Sequence, residues 1–413
     1  MQKKKLINGS NHQSSKIINR SLVLKMICTG KSLSRIDIAR QTGLSKMSIT
    51  NIVNGLISEG FVSEKSEVQE APSSGASGRK PVVLTANTDK YLVPGLYISR
   101  DSATATLANL DCENILELDC SFSRDETRQS FMDKIIALVR SVLDSKAAAG
   151  RKVIGLGVAC IGPLELKNGT ILEPANFHNL GGIPIKQLLE EQFGYEVYVN
   201  NDMNASALAE KLYGKGKNTA NFVYVGVTNG IGAGIIAKGS LFEGDMGYGG
   251  EMGHITINCE GPVCTCGNSG CLELYASIPE IVKKAVEAIS HGIPSALSDI
   301  KQIRWADIAA CALEGDSLAV EMVELLCKYL SYGLISLINI FDPQVIYLGH
   351  DIALAGELAA SRLEAYVSKR FFSCNYKSVP IEISAFRHKA PVAGSTAIIL
   401  DKLFSGHEFK LYS

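Results

Sequence analysis

No stretch of this sequence approaches the ~18 consecutive uncharged apolar residues that a membrane-spanning helix needs. The N-terminus, MQKKKLINGSNHQSSK, opens basic but has no apolar segment behind its lysines, so it does not read as a secretory signal. With both features missing, a cytoplasmic protein without a membrane partner is expected, its eleven cysteines reduced rather than paired as disulfides. Net charge is nearly missing too, at −1 over 413 residues. That value is an average of two unlike parts. Residues 1–80 carry 13 Lys and Arg against 5 Asp and Glu, and the rest carries 28 against 37. A basic head on an acidic body confines any polyanion partner to the head. The apolar fraction of 46% and the charged fraction of 20% are those of an ordinary globular chain, and the length allows two or three domains.

In the head, Ile17–Thr29 has the spacing of an amphipathic helix, with Ile17, Val23, Leu24 and Ile27 on one face and Gly30 behind it. Ser34 is placed to cap a short helix, Arg35–Gln41, with core-facing positions among Ile36, Ile38 and Ala39. The turn TGLS follows, and Ser45 caps a second helix to Glu59 whose buried stripe runs through Met47 or Ile49, then Ile52, Val53, Leu56 and Ile57. Helix, tight turn, helix is the helix-turn-helix pattern. Ser45, Lys46, Ser48, Thr50 and Asn51 at the exposed start of the second helix are side chains able to reach base edges in a major groove. Beyond Gly60 the pattern is strand, loose Ser/Gly loop, strand. It predicts a wing with Arg79 and Lys80 at its rim, near passing phosphates. A helix-turn-helix can also serve protein contacts alone; the charge of the head favours DNA. Lys3–Lys5 read as a solvated tail rather than an arm.

The body, from residue 87 onward, holds two similar stretches. YLVPGLYISRDSATATLANLDCENILELD from Tyr91 and NFVYVGVTNGIGAGIIAKGSLFEGD from Asn221 each read as three strands joined by small-residue turns. Such a repeat predicts two α/β lobes on one plan. Lys152–Glu165 reads as a buried strand ending in a Gly-Pro turn, and Tyr195–Gly214 as a strand entering a helix with Asn200, Asn201 and Asp202 at the junction. One further buried strand is expected at Gln344–Gly349, and a last helix begins at PVAGSTAIIL.

Further along the chain comes a short Gly-punctuated stretch, EMGHITINCEGPVCTCGNSGCLELYAS, residues 251–277. His254, Cys264, Cys266 and Cys271 are spaced H-x9-C-x-C-x4-C, which suits a closed tetrahedral structural zinc site. Gly267 and Gly270 let the loop turn back on itself, and Cys259 stands outside the spacing.

Taken together, GRKPVVL, NNDMNASALAE, GIGAGII, GEMGH, CTCGNSGCLELYAS and NIFDPQVIYLG resemble the ROK family, the Repressors, Open reading frames and sugar Kinases of bacteria. The resemblance spans the whole chain. In layout it is nearest the xylose-type and N-acetylglucosamine-type repressors. It implies a winged helix-turn-helix at 1–86 and a two-lobed, actin-like, ribonuclease H-like α/β body. Lobe 1 would be 87–205 joined by a C-terminal helix within 390–413, and lobe 2 would be 206–389 with the zinc loop. It also implies a sugar or sugar phosphate in the interlobe cleft, a homodimer or homotetramer, and operator DNA as partner. Carried over residue by residue, Asn201, Asp202, Gly230, Glu251, His254 and Glu273 would contact the sugar, Asp202 matching the general base of the kinases. His254 would serve metal and sugar through different ring nitrogens. Asn176 and Asn179, in EPANFHNLGGIP, could line the same cleft or simply shape a turn.

One family feature is missing, and its absence bears on function. Kinases of the family open lobe 1 with a D-x-G-G-T-type phosphate loop. The matching stretch here is GLYISRDSA, with Tyr97, Ser99, Arg100 and Asp101 at those positions. Asn229 stands at a usual Thr, and His350 at a usual Gly. The departures fall on the nucleotide side, which predicts a non-enzymatic, sugar-responsive repressor with no ATP and with Asp202 as a vestigial base. The alternatives are an active hexose kinase with a DNA-binding head, or a repressor controlled by a transporter protein.

Overall fold

The computed structural model describes residues 12–30, 32–65, 82–123, 125–174, 177 and 180–411. In the head, the first helix spans His12–Thr29, starting ahead of the Ile17 expected, and buries Val23, Leu24 and Ile27. The next, Arg35–Thr42, begins in a reciprocal cap. The Ser34 hydroxyl accepts from the Asp37 N–H, and the Asp37 carboxylate accepts the Ser34 N–H at 3.1 Å. The third, Lys46–Glu59, is capped by Ser45, whose hydroxyl accepts the Ser48 N–H at 3.1 Å. It buries Ile49, Val53 and Leu56; Met47, the alternative to Ile49, is 70% exposed. Strands Leu33–Ser34, Val83–Ala86 and Val62–Lys65 pair antiparallel in that order. The tip of the expected wing, with Arg79 and Lys80, lies outside the described residues.

The two lobes share a strand order. In lobe 1, Tyr91–Ile98, Ser102–Ala108 and Asn114–Ser121 form an antiparallel meander, and Leu156–Cys160 and Val197–Asn201 add in parallel on the other side of Tyr91–Ile98. In lobe 2, Phe222–Val227, Ile231–Ala237 and Ser240–Leu241 form the meander, and Val345–His350 and Ile381–Ile383 add in parallel. The strand Ile381–Ile383 has no counterpart in the sequence reading; three residues are too few to show a period.

The expected lobe boundary after residue 205 falls inside the helix Asp202–Leu212. That helix packs along the C-terminal helix Ala390–Phe404 and also against Ile231–Ala237, so it belongs to both lobes. The approach is close: a Cβ on Gly394 would lie 2.5 Å from the Ala205 carbonyl carbon. Nor does a loose linker separate head from body. Leu56 and Phe61 of the head share one apolar cluster with Tyr91, Leu208, Leu212 and Leu403. Phe61 stacks on Tyr91 at 4.3 Å, and the Tyr91 hydroxyl donates to the Glu59 carbonyl at 2.8 Å. The 25-residue helix Ser317–Phe341 is long and apolar enough to cross a bilayer by length and composition. Its Leu326, Leu330 and Leu334 are fully buried in the core of lobe 2.

Candidate functional site

Between the lobes lies a cavity of about 920 Å³. Strand ends and the turns that follow them supply its walls, as is usual for ligand sites on open α/β sheets. Asn201, Asp202, Gly230, Glu251, His254 and Glu273, drawn from four separate stretches of the chain, all line it.

Asn201 and Asp202 stand where the strand Val197–Asn201 becomes a helix. The Asn201 side-chain oxygen caps that helix, accepting the Met203 N–H at 2.9 Å. Its amide nitrogen faces the Glu251 side: a Cβ placed on Gly162 would meet Asn201 Nδ2 at 3.4 Å and Glu251 Oε1 at 3.8 Å. Asn201 therefore has a structural duty as well as the ligand duty implied by resemblance. Asp202, 5% exposed, sits in the first turn, where the helix dipole favours a carboxylate. Burial pushes the Glu251 carboxyl above its ordinary range, with nearby Asp202 and Glu273 acting in the same direction and His254 opposing. Across the cavity, a Cβ on Gly230 would lie 3.6 Å from Glu273 Oε2.

The metal-spaced residues also converge. One donor atom from each of His254, Cys264, Cys266 and Cys271 lies within 4.8 Å of the other three. Cys266 and Cys271 Sγ are 3.7 Å apart, and Cys264 Sγ is 3.8 Å from His254 Nδ1. Sulfurs bound tetrahedrally to zinc at about 2.3 Å would be about 3.8 Å apart, so the donor set fits that ion. The loop closes at Gly270, with φ +64°, where a Cβ would lie 1.7 Å from the Asn258 carbonyl oxygen. A backbone N–H from Asn268 lowers the Cys266 thiol, whereas burial pushes Cys271 up to about 12. A divalent cation supplies the charge that such a buried thiolate lacks. Glu273 Oε1 is 3.3 Å from Cys264 Sγ and 3.5 Å from His254 Nδ1. With Thr265 and Cys266 also lining the cavity, the metal loop is one of its walls.

The side where family kinases hold phosphate is closed differently. The Ser99 N–H donates to the Ser102 carbonyl at 2.9 Å, the Ser99 hydroxyl donates to the same oxygen at 2.9 Å, and the Ser102 N–H donates to Ser99 Oγ at 3.2 Å. The Ser99 and Ser102 N–H groups are therefore not offered to an anion. Tyr97, Arg100, Asp101, Asn229 and His350 line the same side.

Several lining residues were not singled out beforehand: Glu173, Thr228, Tyr248, Asp351 and His388. Glu173 opens the EPANFHN loop, which was flagged only for Asn176 and Asn179; both asparagines lie outside the described residues. In the head, Ser45 and Ser48 pair with each other at 2.9 Å, and the Thr50 hydroxyl donates to the Lys46 carbonyl at 2.9 Å. Lys46 and Asn51 are exposed and make no side-chain hydrogen bond among the described residues, which leaves them the strongest base-reading candidates of the five.

The profile of the ROK family matches residues 94–402. The xylose repressor of Caldicellulosiruptor bescii is 29% identical over 402 residues, 97% of this chain and 99% of that protein. The crystal structure of a ROK family transcriptional regulator, a homologue of the E. coli MLC protein, superposes with a TM-score of 0.80 at 29% identity, covering 95% of this chain and 97% of that one. A ROK family glucokinase from Streptomyces griseus, solved with glucose and AMPPNP, reaches a TM-score of 0.67 at 25% identity. It covers 74% of this chain and 98% of its own.

Proposed function

The chain belongs to the ROK family, and from that premise and the geometry of the cleft we propose that it is a sugar-responsive, DNA-binding transcription repressor. One observation carries the reading. The six residues that the family resemblance gives to the sugar line one cavity, while the turn that would cradle nucleotide phosphates carries Arg100 and Asp101 and is tied across by Ser99 and Ser102. Carboxylates accept from sugar hydroxyls and the Asn201 amide donates to them. His254, Cys264, Cys266 and Cys271 would hold a structural zinc ion, which supplies charge and a rigid anchor to the wall that bears Glu251 and Glu273. Asp202 is in place as a base, but a general base contributes only ~10²–10⁴-fold, and phosphoryl transfer depends on holding the phosphates and magnesium. The protein therefore has no kinase activity. The presence of both Asn201 and Asp202 favours a small effector over control by a transporter protein.

The winged helices of a homodimer or homotetramer would read operator DNA through Lys46 and Asn51, with Ser45, Ser48 and Thr50 shaping the helix start and Arg79 and Lys80 meeting phosphates. Sugar acts on DNA only as far as it prefers one arrangement of the heads. The helix Asp202–Leu212 offers a rigid link: it begins at the cavity, and Leu208 and Leu212 near its far end lie in the apolar cluster shared with the head.

The test joins three measurements. A sugar at ~100 times its Kd should stabilise the protein by about 2.7 kcal/mol. The same sugar should change operator affinity in a gel-shift assay. Calorimetry with Mg·ATP and that sugar should show no nucleotide binding and no turnover. Saturable Mg·ATP binding with turnover would overturn the repressor-only reading.

A further inference from the structure

His350 ends the strand Val345–His350 and is 2% exposed. Its backbone, at φ +60° and ψ −151°, lies in a region almost reserved for glycine. A side chain held there against strain asks for a reason. Nδ1 lies 2.9 Å from the Tyr224 hydroxyl. Nε2 lies 3.6 Å from Asp202 Oδ2, too far for a hydrogen bond, and has no hydrogen-bond partner among the described residues. With Tyr224 donating to Nδ1, Nε2 carries the ring proton and lies beside a carboxylate that can only accept.

A buried donor, itself almost without open surface, and a buried acceptor thus lie side by side in the cavity wall. A sugar hydroxyl satisfies both, accepting from Nε2 and donating to Asp202. A phosphate monoester in that place serves poorly: mostly a dianion at neutral pH, it has little proton to give to Asp202 and brings like charge to it. Asp101 and Asp351 line the same side. Arg100 is the one Lys or Arg among the described lining residues, and it lies within electrostatic reach of Asp101 and Glu273. The Ser99 and Ser102 N–H groups are taken up within their own turn.

We propose that the effector is an unphosphorylated sugar, and that His350 determines this specificity by reading, together with Asp202, one free hydroxyl. The inference rests on the sugar-effector reading above and narrows it. The experiment is titration calorimetry of the full chain with three matched pairs: D-xylose and its 5-phosphate, N-acetylglucosamine and its 6-phosphate, and glucose and its 6-phosphate. One free sugar should bind, with its phosphate at least about tenfold weaker. His350→Phe, which keeps the ring but not the N–H, should weaken that free sugar by about tenfold. His350→Gln, which retains an amide donor, should recover part of the loss. Should His350→Phe fail to fold, His350→Gly suits the same backbone and should show the same weakening. A phosphorylated sugar that binds more tightly than its free form would overturn this inference and leave the sugar reading standing, as would unchanged sugar affinity in the His350 variants. If none of the six compounds binds the unaltered protein, the sugar reading falls and this inference with it.

Discussion

Lobe 1 and lobe 2 have one strand order, yet the turn between the first two strands differs between them. In lobe 1 the Ser99–Ser102 turn is filled with side chains and locked by the Ser99 hydroxyl. In lobe 2 the corresponding turn is Thr228–Gly230, where the Thr228 N–H donates to the Gly230 carbonyl at 2.8 Å and Gly230 leaves the cavity open toward Glu273. The segments that follow the meanders differ as well. Lobe 1 continues into the helix Arg128–Leu143, whereas lobe 2 continues into the metal loop that lines the cleft. A duplicated scaffold fixes where turns meet; the side chains in those turns decide what can bind. Under the proposed function, the lobe 1 turn leaves no room for phosphates and the lobe 2 wall supplies the sugar contacts.

The largest blow to this asymmetry falls on lobe 2. Elemental analysis should find about one zinc per chain in the unaltered protein and none in Cys266→Ser. Sugar-induced stabilisation should go with it, because the loop carries the wall that holds Glu251 and Glu273, while operator binding persists. Gently purified protein without zinc would remove the metal centre from the account.

Next come two carboxylates that line the cleft. Asp202→Ala and Glu273→Ala should each weaken the sugar by roughly 10- to 100-fold, the usual size of a lost hydrogen bond to a charged group. Asp202→Ala should also lower the melting temperature slightly, since the helix loses an acid from its first turn. Normal sugar response in both variants would mean that the cleft is not the sensor.

The smallest expected effect lies in neither lobe and gives both an outside reference. Lys46→Ala or Asn51→Ala should cost about 1–3 kcal/mol on the operator and leave sugar affinity unchanged. Two variants that bind operator normally would show that another face of the head reads the DNA.

Elements with a strong local signal were legible in the sequence. Ser34 and Ser45 cap the helices they were expected to cap, because a cap is made within three residues. The two meanders were visible as repeated strand-and-turn patterns, and the convergence of His254, Cys264, Cys266 and Cys271 by their spacing. Short elements were not: Ile381–Ile383 has no period to read, and its place in the sheet is set by pairing with Val345–His350. The lobe boundary was also misjudged. The helix Asp202–Leu212 is buried along nearly its whole length, so it has no exposed face to mark an end of domain.

The sequence alone determined the local conformations, the charged head, the metal donor set and the loss of the phosphate loop, since each depends on residues near one another along the chain. Only the tertiary structure decided that Asn201, Gly230, Glu251 and Glu273 share one cavity, that Asn201 also caps a helix, and that the head is fused to the body through Phe61 and Tyr91. It also decided the meaning of His350. In the sequence that residue marks a departure from glycine. In the fold, its strained backbone sets an imidazole against Asp202, far away in the chain, and burial removes the water that would otherwise satisfy it.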